Sequence, residues 1–279
     1  MFSFAKKPLN LIGILRDGFN LYKTSFTSIW RWQLLWLLPM VFLPASSSLN
    51  TTGTMNVLTT PLNTPSFSWL MILYSIVVLL ITIYGEIFIL SRIYNIGTQK
   101  PLNAGASLRL AKDKFLPILG GYVITWLILL ALFIVAGLIF GLIYFLISLV
   151  SSGHSGYSLI IMMTTLMIVI GVFLVILMFF FNLFILLENT KIVQAIKASV
   201  QLVWGNWWRT FAVILVPAVV IFLLVQIVNF LVGLVMPRVY VANNIANLCL
   251  LTFLYPWFSS VILVQFNDLK LRRLNSQPK

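Results

Sequence analysis

Six long apolar stretches constrain this chain more than any other feature of its sequence. Each is long enough to cross about 30 Å of bilayer hydrocarbon as a helix. With 61% hydrophobic and 8% charged residues, the chain has more apolar surface than a soluble core buries. The sequence therefore predicts an all-α polytopic protein, a single transmembrane domain over residues 1–279, and excludes soluble enzymes, disordered tails and disulfide scaffolds. The predicted spans are roughly Ile29–Ala45, Ser66–Leu90, Ile118–Val150, Ser158–Leu187, Thr210–Val235 and Val241–Phe266.

The basic residues lie almost entirely on one side of these spans. Of 18 lysines and arginines, only Arg238 falls in a loop on the opposite side. Because Lys and Arg concentrate in cytoplasmic loops, both termini are predicted to be cytoplasmic, with no cleavable signal peptide. Topology and attraction to anionic lipid explain the net charge of +13, so no nucleic-acid partner is expected. The outer loop Ser46–Pro65 carries no charge.

A threefold repeat is visible when Phe26, Phe115 and Trp207 are aligned. The residues 4, 7 and 11 positions earlier follow helical spacing, with polar residues between them. The pattern predicts three tandem hairpins of two spans each, every hairpin preceded by an amphipathic cytoplasmic helix. The units cover about 9–92, 101–188 and 190–273. The aligned sets are Tyr22, Phe19 and Leu15; Ala111, Leu108 and Ala104; and Val203, Val200 and Ile196.

The three copies share one topology, unlike the inverted repeats of many secondary transporters, which counts against alternating access by that route. The returning helices correspond as well, since Glu86–Leu90 matches Asn182–Leu186 in position and pattern, and Ser260–Leu263 matches more weakly. Two interpretations of the amphipathic helices stay open. They either brace the hairpins or form a ring that docks lipid headgroups or proteins.

The stretch Phe181–Phe211, FNLFILLENTKIVQAIKASVQLVWGNWWRTF, resembles the YciC-like family of bacterial inner-membrane proteins. These are also similar to membrane domains found beside some glycerophosphodiester phosphodiesterases. The likeness extends through Gly85–Gly121 and covers about Trp69–Arg273. The resemblance implies a multi-pass bacterial inner-membrane protein linked to the envelope or to lipid homeostasis, without an agreed activity. Nothing in the chain matches the phosphodiesterase itself.

Glu86 is the one ionisable residue well inside a predicted span, and a carboxylate there is a default candidate for function. It would bind a proton, a cation or a cationic headgroup. The alternative is that it lies near the cytoplasmic interface and pairs with Arg31, Arg92 or Arg209. Asn182 occupies the matching position in the second copy, consistent with a polar packing contact.

Trp207 and Arg209, with Trp204 and Trp208, occur where an interfacial aromatic belt and its basic anchor belong. They either set the depth of the fifth span or form a cage for a lipid headgroup. Gly137 and Gly141 make a GxxxG step in the third span, which favours intramolecular helix packing over a dimer face.

The amides Gln226, Asn229 and Asn247 favour interhelical hydrogen bonds, with a polar cavity lining as the alternative. His154 lacks neighbouring ligands and is assigned no metal role, and no cofactor is expected. No catalytic signature occurs. We therefore expect a non-enzymatic protein that organises or handles membrane phospholipid or scaffolds envelope proteins. Candidate residues are Glu86, Asn182, Trp207 and Arg209. The alternatives are a transporter or scramblase with a polar path, and an accessory subunit.

Overall fold

The computed structural model describes residues 4–42, 69–100, 103–150, 156–236 and 240–276. All regular secondary structure within these ranges is helical. The predicted outer loop Ser46–Pro65, His154 and Arg238 lie outside the described residues. The helices are α1 (Leu11–Leu37), α2 (Trp69–Gly97), α3 (Ala104–Val150), α4 (Gly156–Met178), α5 (Phe181–Glu188), α6 (Ile192–Val203), α7 (Trp207–Val235) and α8 (Tyr240–Ser276). Short 3₁₀ turns follow α1 at Leu38–Phe42 and separate α6 from α7 at Trp204–Asn206.

Five helical segments of the described chain are long and apolar enough to cross a membrane. The prediction of an all-helical membrane protein is confirmed at this level. The segments are Trp69–Gly97, Ala104–Phe145, Ile161–Glu188, Ile192–Val235 and Ala242–Asn275.

The predicted first span, Ile29–Ala45, is not among these five segments. Its described residues form the end of α1 and the following 3₁₀ turn, while residues 43–45 lie outside the described chain. Arg31 and Gln33 lower the hydropathy of this part of α1. Pro39 then prevents a regular continuation, because its ring disfavours the helical conformation of the preceding residue.

The predicted amphipathic segments take two different forms. The first and second are the N-terminal parts of α1 and α3, which continue without a break. The third is a separate helix, α6. In α6 the predicted face is largely correct, since Ile196 and Val203 are buried. In α1 the buried face lies one residue earlier than predicted. Ile14 and Leu21 are fully buried, whereas Phe19 is 44% exposed.

Close backbone approach explains the displaced face of α1. A Cβ atom added to Gly18 would lie 2.6 Å from Val261 Cγ2 and 2.9 Å from Val261 Cα. The two helices therefore meet where α1 has no side chain, so the buried face follows Gly18. The neighbouring aromatic residues lie at its margin, as in the stacking of Phe26 on Phe253 at a centroid distance of 5.4 Å.

The chain divides into two compact units. The first comprises Met1–Phe4, Ile12–Lys112 and Ile214–Val264. In it, aromatic rings join α1 to α2, with Trp36 lying 5.4 Å from Tyr84 between ring centroids. Trp36 also lies against Gly85, where a Cβ atom would be 2.5 Å from its ring.

The second unit comprises Ala5–Leu11, Asp113–Val213 and Gln265–Lys279. Its core includes the junction between α4 and α5, where the helical hydrogen bonding is interrupted. The buried hydroxyl of Ser199 repairs this interruption, because it accepts from Phe180 N at 3.0 Å and donates to Leu177 O at 2.8 Å. Ser199 thereby fixes α6 beside the end of α4.

The GxxxG step of α3 does not mediate the intramolecular packing that its sequence favours. Cβ atoms added to Gly137 or Gly141 would meet no other described atom within 4 Å. The rest of this part of α3 presents large exposed apolar side chains, including Trp126 and Leu138. Small residues permit close helix approach but do not enforce it.

Candidate functional site

A buried carboxylate organises the most polar part of the second unit. Asp268 in α8 is only 1% exposed. Its Oδ2 lies 3.2 Å from Arg209 Nη2 and 2.9 Å from Arg272 Nε, and its Oδ1 accepts a 2.6 Å hydrogen bond from Leu9 N. Burying a charge is costly unless it is paired and hydrogen bonded. These three contacts meet that requirement for Asp268.

The two arginines also converge on one backbone oxygen. Arg272 Nη2 donates to Leu9 O at 2.6 Å, and Arg209 Nη2 donates to the same oxygen. Asp268, Arg209 and Arg272 therefore hold both the N–H and the C=O of Leu9. We call this arrangement of four residues the Leu9 clamp.

Local sequence explains how the clamp is assembled. Asp268 and Arg272 are four residues apart on α8, a spacing that places the side chains of oppositely charged residues together. Arg209 lies in the first turn of α7, directly after the 3₁₀ turn Trp204–Asn206. The sequence WGN supports this turn, because Gly205 and Asn206 both have lower helix propensity than the alanine or leucine of a continuous helix.

A groove lies at the same end of α7. It has a volume of about 590 Å³. The side chain of Trp207 is held in place by two contacts. Its indole N–H donates to Phe173 O at 3.2 Å, and its ring stacks on Phe211 with an interplanar angle of 5°. Trp208 is 75% exposed and Trp204 is 66% exposed. The lining residues are Val169, Phe173, Trp204, Gly205, Asn206, Trp207, Trp208 and Arg209.

Arg209 belongs to both the groove and the clamp. Its side chain is 21% exposed, and Nη2 contacts Asp268 and Leu9. Its Nε is buried and has no hydrogen-bond partner within the described chain. The groove thus combines exposed aromatic surface with a partly exposed guanidinium group, two features that suit an amphipathic anion.

The structure brings together two of the four candidate residues predicted from the sequence. Trp207 and Arg209 both line the groove. Asn182 lies in the same unit at the start of α5, where its Oδ1 accepts from Leu183 N at 2.8 Å. Glu86 is half-buried on α2 in the other unit.

The intramembrane amides lie in the first unit. Asn247 Nδ2 donates to Asn229 Oδ1 at 2.9 Å, an interhelical contact of the kind predicted for these residues. Gln226, for which an interhelical hydrogen bond was also predicted, is exposed. Only two of these three amides therefore meet in this contact.

Sequence reasoning missed Asp268, Leu9 and Ser199 as important residues. Asp268 lies just beyond the predicted sixth span, so a search for ionisable residues inside the spans does not find it. Its i, i+4 relation to Arg272 and the scarcity of acidic residues were the available signals. Leu9 gave none, because its role depends on backbone atoms alone.

The described residues contain no group of three or more His, Cys, Asp or Glu side chains placed to hold a metal ion. No curated protein and no solved structure matches the chain. A family model described as a domain of unknown function, DUF7847, matches residues 35–268 and therefore includes the groove, Arg209 and Asp268. This match spans more than four-fifths of the sequence, so the chain belongs to the DUF7847 family.

Proposed function

We propose that this protein is a non-enzymatic membrane protein that binds and organises phospholipid at the cytoplasmic leaflet. The observation that carries the proposal is the groove of about 590 Å³ lined by three tryptophans, Phe173 and Arg209. Tryptophan favours the interface between hydrocarbon and headgroups, and arginine recognises phosphate in a bidentate manner. A phospholipid presents both kinds of surface within one molecule.

The proposed topology has six spans in three tandem hairpins, with both termini cytoplasmic in a bacterial inner membrane. The distribution of basic residues supports the orientation, since only Arg238 departs from it. The resemblance to YciC-like proteins supports the location. This topology places Arg209 and Asp268 at the cytoplasmic ends of α7 and α8.

Equivalent packing positions support the threefold repeat. The residues eight positions before Phe26, Phe115 and Trp207 are small and buried in every copy. They are Gly18, Ser107 and Ser199.

The helices around these positions also correspond. Gly18 of α1 lies against Val261 of α8, and Ser199 of α6 lies against the end of α4. The segment of α3 that contains Ser107 contacts α2, where Tyr84 Oη donates to Leu108 O at 3.0 Å. Each amphipathic segment thus contacts a returning helix of another copy.

Lipid retention by a matched pair of tryptophan variants tests the groove. Trp208, which is 75% exposed, lines it, whereas Trp126 on α3 is 70% exposed and lies outside it. Native mass spectrometry from mild detergent would follow phosphatidylglycerol and phosphatidylcholine bound to each protein. We expect Trp208→Ala to lower retention about tenfold, equivalent to about 1.4 kcal/mol. Trp126→Ala is expected to match wild type. Equal retention by all three proteins would overturn the proposal.

A transporter or scramblase would require the polar residues of the spans to form a path. Gln226 is exposed rather than directed into a path, and Asn229 and Asn247 form a hydrogen bond with each other. The variant Glu86→Gln distinguishes lipid binding in the groove from lipid transport along a polar path. Lipid retention at the groove is expected to stay unchanged, whereas a path through Glu86 predicts altered lipid transfer between leaflets in vesicles.

A further inference from the structure

The polar contacts of the segment Ala5–Leu9, which precedes α1, are made by its peptide groups. Asn267 Nδ2 donates to Ala5 O at 3.3 Å, and Leu9 N donates to Asp268 Oδ1 at 2.6 Å. Both acceptors and donors on the segment are peptide groups. Lys6 and Lys7, between these anchor points, are exposed. The polar part of this binding therefore does not use the charged side chains of the segment.

The Leu9 carbonyl is a neutral oxygen that contacts two guanidinium groups. Arg209 and Arg272 both donate to it, and among the described residues one carboxylate, that of Asp268, pairs with these two charges. Phosphate oxygens form shorter and stronger hydrogen bonds with guanidinium groups than a neutral carbonyl does. An anionic oxygen would therefore suit this position better than the carbonyl that fills it.

The hydrogen bonding of Arg209 also suits an anion. Its Nε is buried without a hydrogen-bond partner in the described chain, although its Nη2 is fully engaged. A buried donor left unsatisfied is unfavourable. A phosphate group offers several oxygens and can contact two nitrogens of one guanidinium group, which a single carbonyl oxygen cannot do as well.

We propose that residues Ala5–Leu9 form a displaceable latch over an anion site made by Arg209 and Arg272. A phosphate group, carried by an anionic phospholipid or free in solution, replaces the Leu9 carbonyl at this site. Asp268 acts as a positioning residue, because it contacts both guanidinium groups independently of Leu9. The lipid form of this proposal rests on the proposed function of the groove, which shares Arg209 with the latch site.

The variant Leu9→Pro tests the latch because it removes the Leu9 N–H and keeps the carbonyl. Lys7→Pro is the matched control, since Lys7 is exposed and its N–H bonds no other described residue. Both full-length variants are placed in nanodiscs of phosphatidylcholine with phosphatidylglycerol. We expect Leu9→Pro to retain about fivefold more phosphatidylglycerol, the equivalent of one lost hydrogen bond. Lys7→Pro and phosphatidylcholine retention are expected to stay at wild-type levels.

Hydrogen exchange of the wild-type protein tests the same latch without a substitution. The Leu9 amide is expected to exchange at least about fivefold faster with phosphatidylglycerol than with phosphatidylcholine alone. A similar acceleration by inorganic phosphate in phosphatidylcholine nanodiscs would support the anion site and identify soluble phosphate as an occupant. Unchanged exchange with both probes, together with wild-type retention by Leu9→Pro, would overturn the latch.

The latch and the groove can fail separately. If Trp208→Ala loses lipid while Leu9 exchange never changes and Leu9→Pro retains lipid at the wild-type level, the groove function stands and the latch is wrong. If Trp208→Ala retains lipid while phosphatidylglycerol or phosphate accelerates Leu9 exchange, the latch stands and the groove function is wrong.

Discussion

Asp268 Oδ1 lies 2.6 Å from Leu9 N, although 259 positions separate these residues in the chain. The contact holds the segment before α1 against α8 through a peptide group. The chain has five acidic residues, and Asp268 is a buried one that contacts two arginines. Its loss should affect the second unit more than the loss of any exposed charge.

Replacing Asp268 by Ala is expected to destabilise the protein by about 3–5 kcal/mol, because Arg209 and Arg272 lose their carboxylate partner in a partly buried site. The measurement is the free energy of unfolding in mixed micelles. Glu188→Gln is the control, since the Glu188–Lys270 pair is largely exposed and an exposed pair contributes about 0–1 kcal/mol. Similar losses in both variants would contradict the assignment of Asp268 as the organising charge.

Ser199→Ala is expected to lower the free energy of unfolding by about 1–3 kcal/mol, because it removes the hydroxyl that serves Phe180 N and Leu177 O in the core. Ser75→Ala is the comparison, since that exposed hydroxyl donates to Met71 O within its own helix. We expect at most about 0.5 kcal/mol for Ser75→Ala. Equal effects would show that the junction of α4 and α5 does not need Ser199.

A double-mutant cycle on Asn229 and Asn247 is expected to give a coupling energy of about 0.6–2 kcal/mol, typical of interhelical amide contacts in membranes. Each residue is changed to Ala singly and together, and unfolding free energies are compared. Gln226→Ala with Asn247→Ala provides the reference pair, for which additive effects are expected. Additivity for Asn229 with Asn247 would mean that their 2.9 Å contact contributes nothing measurable.

Gly85→Ala is expected to cost about 1–3 kcal/mol, because the new Cβ would lie 2.5 Å from the Trp36 ring and force helix α2 or that ring to shift. Gly137→Ala is the control for helix propensity, since its Cβ would meet none of the described atoms of other helices within 4 Å. We expect no loss of stability there. Thermal unfolding of both variants in the same detergent distinguishes a steric effect from a general effect of removing glycine.

The local features of the sequence predicted the helices well. Five of the six predicted spans correspond to membrane-length helices, because runs of apolar residues determine this outcome without reference to neighbours. The first predicted span was less predictable. Because it contains Arg31, Gln33 and Pro39, its sequence has features of both an amphipathic helix and a membrane span. Trp207 and Arg209 were identified for a similar local reason, as an aromatic and basic cluster before a span.

The contacts that connect distant residues could not be predicted in this way. The buried face of α1 follows Gly18 because Val261 approaches it, and no periodicity within α1 contains that information. Asn229 and Asn247 were recognised as polar, but only the fold shows that they bond each other while Gln226 is exposed.

Sequence alone thus determined that this chain forms apolar helices of membrane length, since burial of backbone polar groups in hydrocarbon leaves helices as the stable choice for such runs. Tertiary structure decided which polar groups meet. Asp268, Arg209, Arg272 and the Leu9 peptide come from three distant parts of the chain, and their contacts depend on the positions of α7 and α8 rather than on local propensity.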